Sequence, residues 1–212
     1  MARVTALRAP KRGKYDRGQS PEARVKDQRR RLFAAATRVF ARRGFGASTV
    51  DLVVAEAGVS RRTFYEHFDD LTDLLLQLHE RLSTAAFRAI DLSARAEQDP
   101  DAQLRAGVGA LLGLIAGFGD QARILFREIR AAGPEHEVRR EALLGRFASL
   151  LFEGVARSHA LGIAKRPPDE LRIFALVAAM EAVGMRYVDR NDEARATEAV
   201  GPMVDMVLRT FG

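Results

Sequence analysis

Apolar residues recur along this chain at helical spacing, and the breaks between the repeats fall where helices can stop. Leu32, Ala36, Val39, Phe40 and Arg43 follow the i, i+4, i+7 spacing of a helix with one buried stripe, and Gly44 supplies the left-handed residue that ends it. Val50, Val53, Val54 and Ala57 form a second, shorter stripe, and Phe64 with Phe68 a third. Ser48-Thr49 precede the second helix, Gly58 breaks it, and Ser60 is a fresh N-cap for a helix from Arg61 to Phe68. A glycine turn between two short capped helices meets the physical needs of a helix-turn-helix.

The rest of the chain predicts longer helices. One starts near Asp69 or Asp70, acids suited to a helix N-terminus, and carries Leu71, Leu74, Leu75, Leu78 and Leu82 to about Ala94. At 1.5 Å per residue that is roughly 35 to 40 Å, long enough to join a reading head to a distant pocket. After Gln98-Asp99-Pro100-Asp101 comes a helix with Gly109, Gly113 and Gly117 at four-residue spacing, either for close helix packing or as a compliant cavity wall. Segments from Gln121 to Ala132 and Glu135 to Leu161 flank Gly133-Pro134, and two amphipathic helices, Asp169 to Asp189 and Ala194 to Phe211, follow Pro167-Pro168. The fold class expected is all-α, with about nine helices: a three-helix helix-turn-helix domain, then a longer helical domain.

With Phe64 and Phe68 turned inward, the 3.6 period places Arg61, Arg62, Tyr65 and Glu66 on the solvent face of the second capped helix. Arginine offers a bidentate fork to guanine O6 and N7, and the first residues of a recognition helix reach base edges, so Arg61 and Arg62 are the base-reading candidates. Ser48, Thr49, Ser60 and Thr63 lie at helix starts, where hydroxyls and free N–H groups hold phosphate oxygens. Tyr65 and His67 are further phosphate donors, His67 serving equally well as a half-buried histidine packed on helix four.

Taken together, Phe40-Ala41-Arg42-Arg43-Gly44-Phe45, Ser48-Thr49-Val50, Ala57-Gly58-Val59-Ser60 and Thr63-Phe64-Tyr65-Glu66-His67-Phe68 resemble the N-terminal domain of TetR/AcrR-type (tetracycline-repressor-like) bacterial transcriptional regulators, over roughly residues 30 to 76. The resemblance implies an all-helical homodimer with an N-terminal DNA-binding domain and a C-terminal domain that takes a small, often apolar effector. Two positions depart from the pattern. Leu71, beside Asp69 and Asp70, stands where the family has a phosphate-contacting lysine, and Val53-Val54 replace isoleucine and alanine.

Charge sharpens the picture. Residues 1 to 68 hold 16 Lys and Arg against 6 Asp and Glu, whereas 69 to 212 hold 18 against 22, so the positive charge is gathered on the reading head. Residues 1–21 read as a disordered basic arm that either tracks the minor groove or only solubilises, residues 22–69 as the DNA-binding domain and 70–212 as the effector-binding and dimerisation domain. Cysteine is absent, which excludes disulfides, thiolate metal sites and cysteine nucleophiles. The longest uncharged run, Ala106 to Gly119, is 14 residues, too short to span a bilayer, so a cytoplasmic protein without membrane contact is expected. Gly13-Lys14 lacks the flanking residues of a phosphate loop, and no Ser/His/Asp set or histidine pair at ligand spacing stands out. No enzyme, catalytic residue, metal or cofactor is therefore expected.

Within the C-terminal region, Leu114, Phe118, Phe126, Ile129, Phe147, Leu151 and Phe152 crowd the centre as core or as cavity lining, with Arg130, His136 and His159 as polar anchors for an unknown small-molecule effector. Phe174, Ala178, Ala182 and Met185, with Val200, Met203, Val204 and Val207, are expected to pair with their two-fold mates in a four-helix interface. The function expected is a homodimeric repressor released from a palindromic double-stranded operator by its effector. The alternative is a constitutive DNA-coating protein.

Overall fold

The computed structural model describes residues 20–190 and 192–212, and every regular element among them is helical. The basic arm expected over 1–21 lies outside the described residues except for its last two, which start the first helix. The Ser20 hydroxyl accepts from the Ala23 N–H at 3.2 Å, and Pro21 occupies the first turn, where its missing N–H costs nothing. This helix, α1, is Pro21–Arg43, so it begins well ahead of the stripe at Leu32. Its early turns, EARVKDQRRR, bury no side chain fully, and a solvated helix leaves little apolar period to read.

The described chain packs as two compact units, one through Leu75 and one from Leu76, six residues beyond the expected border at 69/70. In the first unit α1 is followed by a 3-10 turn, Phe45–Ala47, then α2, Val50–Ala57, and α3, Arg61–Tyr65. Leu32, Ala36, Val39 and Phe40 are buried with Val53, Val54, Ala57, Phe64 and Phe68, while Arg43 is exposed and does not belong to the stripe. The helix from Arg61 stops at Tyr65, short of the expected Phe68. Phe68 still reaches the core, because its N–H bonds the Phe64 carbonyl at 3.0 Å and keeps the helical offset for one more turn. The Phe33 and Phe68 rings meet edge to face at 5.4 Å, a geometry that favours the positive ring edge on the negative face.

Gly58 closes α2 in the left-handed region, φ 64°, ψ 39°. Arg31 of α1 donates through Nη2 to the carbonyls of Ala57 and Gly58 at 2.6 and 2.8 Å, satisfying groups that the helix end leaves open. The positive φ is what calls for glycine here, and a Cβ at residue 58, 2.8 Å from that nitrogen, would also push the Arg31 guanidinium aside.

The second unit takes in the remainder of α4, Leu71–Arg95, which runs across the border. α5, Pro100–Gly117, starts on an Asp99 cap that accepts from Ala102 N–H at 2.8 Å. α6, Gly119–Arg123, a π turn, Ile124–Glu128, and α7, Ile129–Ala131, form one continuous run, giving nine helical rods among the described residues. A 3-10 turn, Pro134–His136, leads into α8, Glu137–Ala160; α9, Glu170–Asp189, and α10, Val200–Phe211, are joined by the 3-10 turn Glu193–Ala199. No single described helix is long and apolar enough to cross a membrane.

Glycine marks the tightest contact here, but not where its spacing suggested. A Cβ at Gly184 of α9 would come within 2.7 Å of Ile115 Cδ1 on α5, so these helices touch backbone to side chain. At Gly109 a Cβ would only graze Val200 at 4.0 Å, and at Gly113 and Gly117 it would meet nothing within 4 Å. Close packing is thus the use of Gly184 and not of the regularly spaced three.

Candidate nucleic-acid interface and ligand cavity

The α3 helix presents Arg61, Arg62 and Tyr65 outward and buries Phe64, as the helical period requires. The two arginines differ. Arg61 is tied to α2, its Nη1 donating to both Asp51 carboxylate oxygens at 2.9 and 3.0 Å. Among the described residues Arg62 reaches only Glu66, four residues on, at 3.2 Å, and its side chain is 90% exposed. One arginine braces α3 on α2 and the other is free to leave its weak partner.

The hydroxyls at the helix starts are engaged with backbone. Thr49 Oγ1 accepts from Leu52 N–H at 3.3 Å and Ser60 Oγ from Thr63 N–H at 3.1 Å, so these two residues cap α2 and α3. Ser48 Oγ donates to the Gly44 carbonyl at 2.7 Å, and Thr63 Oγ1 lies 3.0 Å from Ser60 Oγ. His67 is half-buried with Nε2 at 3.3 Å from Gln28 Oε1 of α1, and burial lowers its pKa. Its hydrogen-bond partner thus lies on helix one. Behind this face Glu56 of α2 accepts from Arg38 at 2.6 Å and Arg42 at 2.9 Å, and these bonds hold its carboxyl below the usual range. At the start of α4 the Asp70 carboxylate accepts from Asp73 N–H at 2.7 Å, so acids occupy the helix end where a phosphate would otherwise sit.

In the second unit a cavity of about 160 Å³ opens among α4, α5, α8, α9 and α10. Buried Val108, Leu111, Phe147, Val177, Met180 and Phe211 wall its interior, whereas Arg95, Glu153 and Arg157 stand at its exposed rim. Arg95 bonds Asp91 at 2.5 Å and lies 3.8 Å from Glu153. Arg157 Nη1 donates to Gln103 Oε1 at 3.0 Å.

Of the ten residues expected at an effector pocket, Phe147 and Leu151 line this cavity and eight do not. Phe126 and Ile129 are buried in packed core, Leu114 and Phe152 pack against it, and Phe118 is exposed where α5 breaks. Arg130 is ion-paired with Glu137 at 2.9 Å, and His159 Nδ1 lies 2.8 Å from the Ala164 carbonyl, holding the loop after α8. Large apolar side chains at helical spacing report burial, whereas a cavity forms where side chains are missing. Gly107 and Gly154 line it, and the sequence reading passed over both.

The expected dimer residues also divide. Phe174 and Ala182 are exposed and Ala178 half-buried on one face of α9, joined there by exposed Leu171 and Ala175. Met185, Val204 and Val207 are instead buried inside the protomer, Val207 against the cavity, and Val200 and Met203 are half-buried against the same core. The amphipathic period of α10 was read correctly, but its apolar face turns inward to cover α5 and α9.

A short capped helix behind a glycine turn, set on a basic three-helix unit and followed by an all-helical unit with an apolar cavity, defines a helix-turn-helix regulator. The sequence model of bacterial regulatory proteins of the tetR family matches residues 32–78. The chain is 26% identical to the HTH-type transcriptional activator FasR of Mycolicibacterium smegmatis over 169 residues, 79% of this chain and 75% of that protein. It is 28% identical to the HTH-type transcriptional repressor SCO4008 of Streptomyces coelicolor over 151 residues, 70% and 73% of the two chains. Its fold is similar to that of FadR from Bacillus subtilis, a transcriptional regulator solved in complex with stearoyl-CoA, with a TM-score of 0.73, 17% identity, and 84% of this chain and 97% of that one covered. Over residues 32–78, then, the chain carries the pattern of the tetR family of bacterial regulatory proteins, and beyond them it is similar to transcriptional regulators in sequence and to FadR in fold.

Proposed function

We propose that this protein is a homodimer that reads a palindromic operator in the cytoplasm and leaves it when a small molecule enters the cavity of the C-terminal unit. The observation that carries the reading is Arg62, which projects from the outer face of α3 opposite Phe64 with only a local, exposed ion pair to give up. In this reading Arg62 forks onto guanine and Tyr65 donates to a phosphate. Arg61 braces α3 through Asp51, Ser48, Thr49, Ser60 and Thr63 fix the helix starts that meet the backbone, and His67 seats α3 on α1. The second copy packs on the α9 face of Leu171, Phe174, Ala175, Ala178 and Ala182, where Leu171 is 77% exposed, a cost in water that a symmetric partner removes. Two recognition helices then meet half-sites about one DNA turn, ~34 Å, apart.

Stearoyl-CoA in the FadR complex supports an acyl compound as the effector class. Effector binding favours a dimer geometry that no longer matches the operator, which requires only different affinities for the two states. Occupying the operator represses; FasR is named an activator and SCO4008 a repressor, and a promoter-reporter assay in cells with and without the gene reads the sign here.

Selection of bound sequences from a random DNA pool at near-physiological salt tests the reading. A two-fold-symmetric site preferred over random DNA by about a thousandfold or more is expected. Uniform binding to all sequences points to a constitutive DNA-coating protein, and no binding removes the DNA role. A monomer by sedimentation at micromolar concentration overturns the dimer.

A further inference from the structure

The cavity is polar at one end and apolar at the other, with a glycine on each long wall. α5 lines it with Gln103, Leu104, Gly107, Val108 and Leu111, and α8 with Phe147, Leu151, Gly154, Val155 and Ser158. Each set keeps the three- and four-residue steps of one helix face. The Arg157–Gln103 bond joins the late turns of α8 to the early turns of α5, so the two stripes run antiparallel, and Leu111 and Phe147 lie toward the far end. On each stripe the glycine falls between the polar and the apolar end. A Cβ at Gly154 would meet nothing within 4 Å, and one at Gly107 would meet only Ala94 Cβ at 3.7 Å. Both glycines weaken their helices relative to alanine, and no close neighbour explains them as Ile115 explains Gly184. What they supply is space.

Among the described residues the rim offers one cation without a carboxylate partner. Arg95 is neutralised by Asp91 and Glu153, while Arg157 has, among the described residues, a neutral amide as its hydrogen-bond partner and no carboxylate within ion-pair distance. Asp101, on the same rim, sits in the first turn of α5, where the helix N-terminus balances its charge.

We propose that the slot takes a linear acyl chain tail first. The tail passes Gly107 and Gly154 to end against Leu111 and Phe147, and the acyl head oxygen displaces Gln103 from Arg157. The proposal rests on the acyl reading above and adds the pose and its determinants. Free acids and their CoA thioesters share that head oxygen, and the experiment separates them.

Saturated free acids and CoA thioesters of about four to eighteen carbons are titrated into the full-length protein by calorimetry, with affinity expected to rise by up to about fourfold per buried methylene. Gly154→Ala should melt above the wild type, since it adds helix propensity and meets no atom. Gly154→Leu should fold equally well, bind short chains as the wild type does, and lose about tenfold or more on long ones. Arg157→Gln should weaken binding about tenfold or more, with Arg157→Lys recovering part of it. A larger loss for free acids identifies a carboxylate ligand, and an equal loss for both identifies the shared acyl oxygen; either supports the pose. Unchanged long-chain binding by folded Gly154→Leu overturns the slot and leaves the acyl reading standing, and unchanged binding by Arg157→Gln overturns the head placement. A wild type that binds no acyl compound of any length overturns the acyl reading and the slot together.

Discussion

The two compact units hold their helices in place by different means. In the N-terminal unit the elements are tied by polar bonds that cross from one helix to another: Arg31 to the end of α2, Glu56 to Arg38 and Arg42, Arg61 to Asp51. Beneath these ties lies a small core led by Phe40, Phe64 and Phe68. The C-terminal unit has such ties too, Arg140 to Glu181 and Arg157 to Gln103, but adds a larger apolar core and leaves part of it open as a cavity. A reading head must present fixed side chains to a rigid duplex, so its helices are pinned. A ligand site must admit a molecule, so its packing is incomplete where the ligand goes.

Substitutions separate the two. Phe64→Ala should have the largest effect, about 3 to 5 kcal/mol, because Phe64 is fully buried in a small core and its removal leaves a void there. DNA binding measured by fluorescence anisotropy should vanish while acyl binding in the cavity persists; simultaneous loss of both would show that the regions do not behave separately. Gly184→Ala should destabilise the C-terminal unit by about 1 to 3 kcal/mol in thermal melts, since Ile115 is buried and cannot yield to a Cβ at 2.7 Å. A variant as stable as the wild type would show that α5 and α9 can move apart. Arg62→Ala should cost about 1 to 3 kcal/mol in binding the selected operator and much less on random DNA. Equal losses on both would make Arg62 a phosphate contact.

Acid should strain the two units in different windows. Burial holds the His79 imidazole of α4 below its ordinary 6.5. The unfolded chain therefore takes up that proton first, and the stability linked to His79 is complete above 6.5 and falls as the pH drops below it. His79→Phe should flatten the melting curve below pH 6.5, and an unchanged slope would remove His79 as its source. The Arg38 and Arg42 bonds depress the Glu56 carboxyl, whose contribution is present above its ordinary 4.5 and lost as the pH falls through the lower folded value. These pairs are largely solvated, so Glu56→Gln should cost no more than about 1 kcal/mol at neutral pH, and less as the pH falls below 4.5.

The sequence was legible where local chemistry decides structure. Gly44, Thr49, Gly58, Ser60, Phe64 and Phe68 each announce a cap, a turn or a buried rung within one or two helical turns, and the head folds as they indicate. The polar early turns of α1 were missed because a solvated helix shows no stripe. Arg31, whose partners lie 26 and 27 residues away, was missed because nothing near it in the chain foretells the bond. In the C-terminal unit helix positions were readable, but the destination of each apolar face was not. Val204 and Val207 look the same on a helical wheel whether they meet a neighbour in the same chain or a second copy.

What the sequence determined by itself is therefore an all-helical chain, its helix-turn-helix, and the outward face of α3, since all three follow from spacing, caps and a glycine within a few residues of one another. Only the tertiary structure decided that Arg61 is braced while Arg62 is exposed, that the α10 stripe turns inward, and that the cavity opens at Gly107 and Gly154, taking in Phe147 but not Phe118, Phe126 or Phe152. Those outcomes depend on which distant surfaces come together, and a helical period records that a face is buried without recording against what.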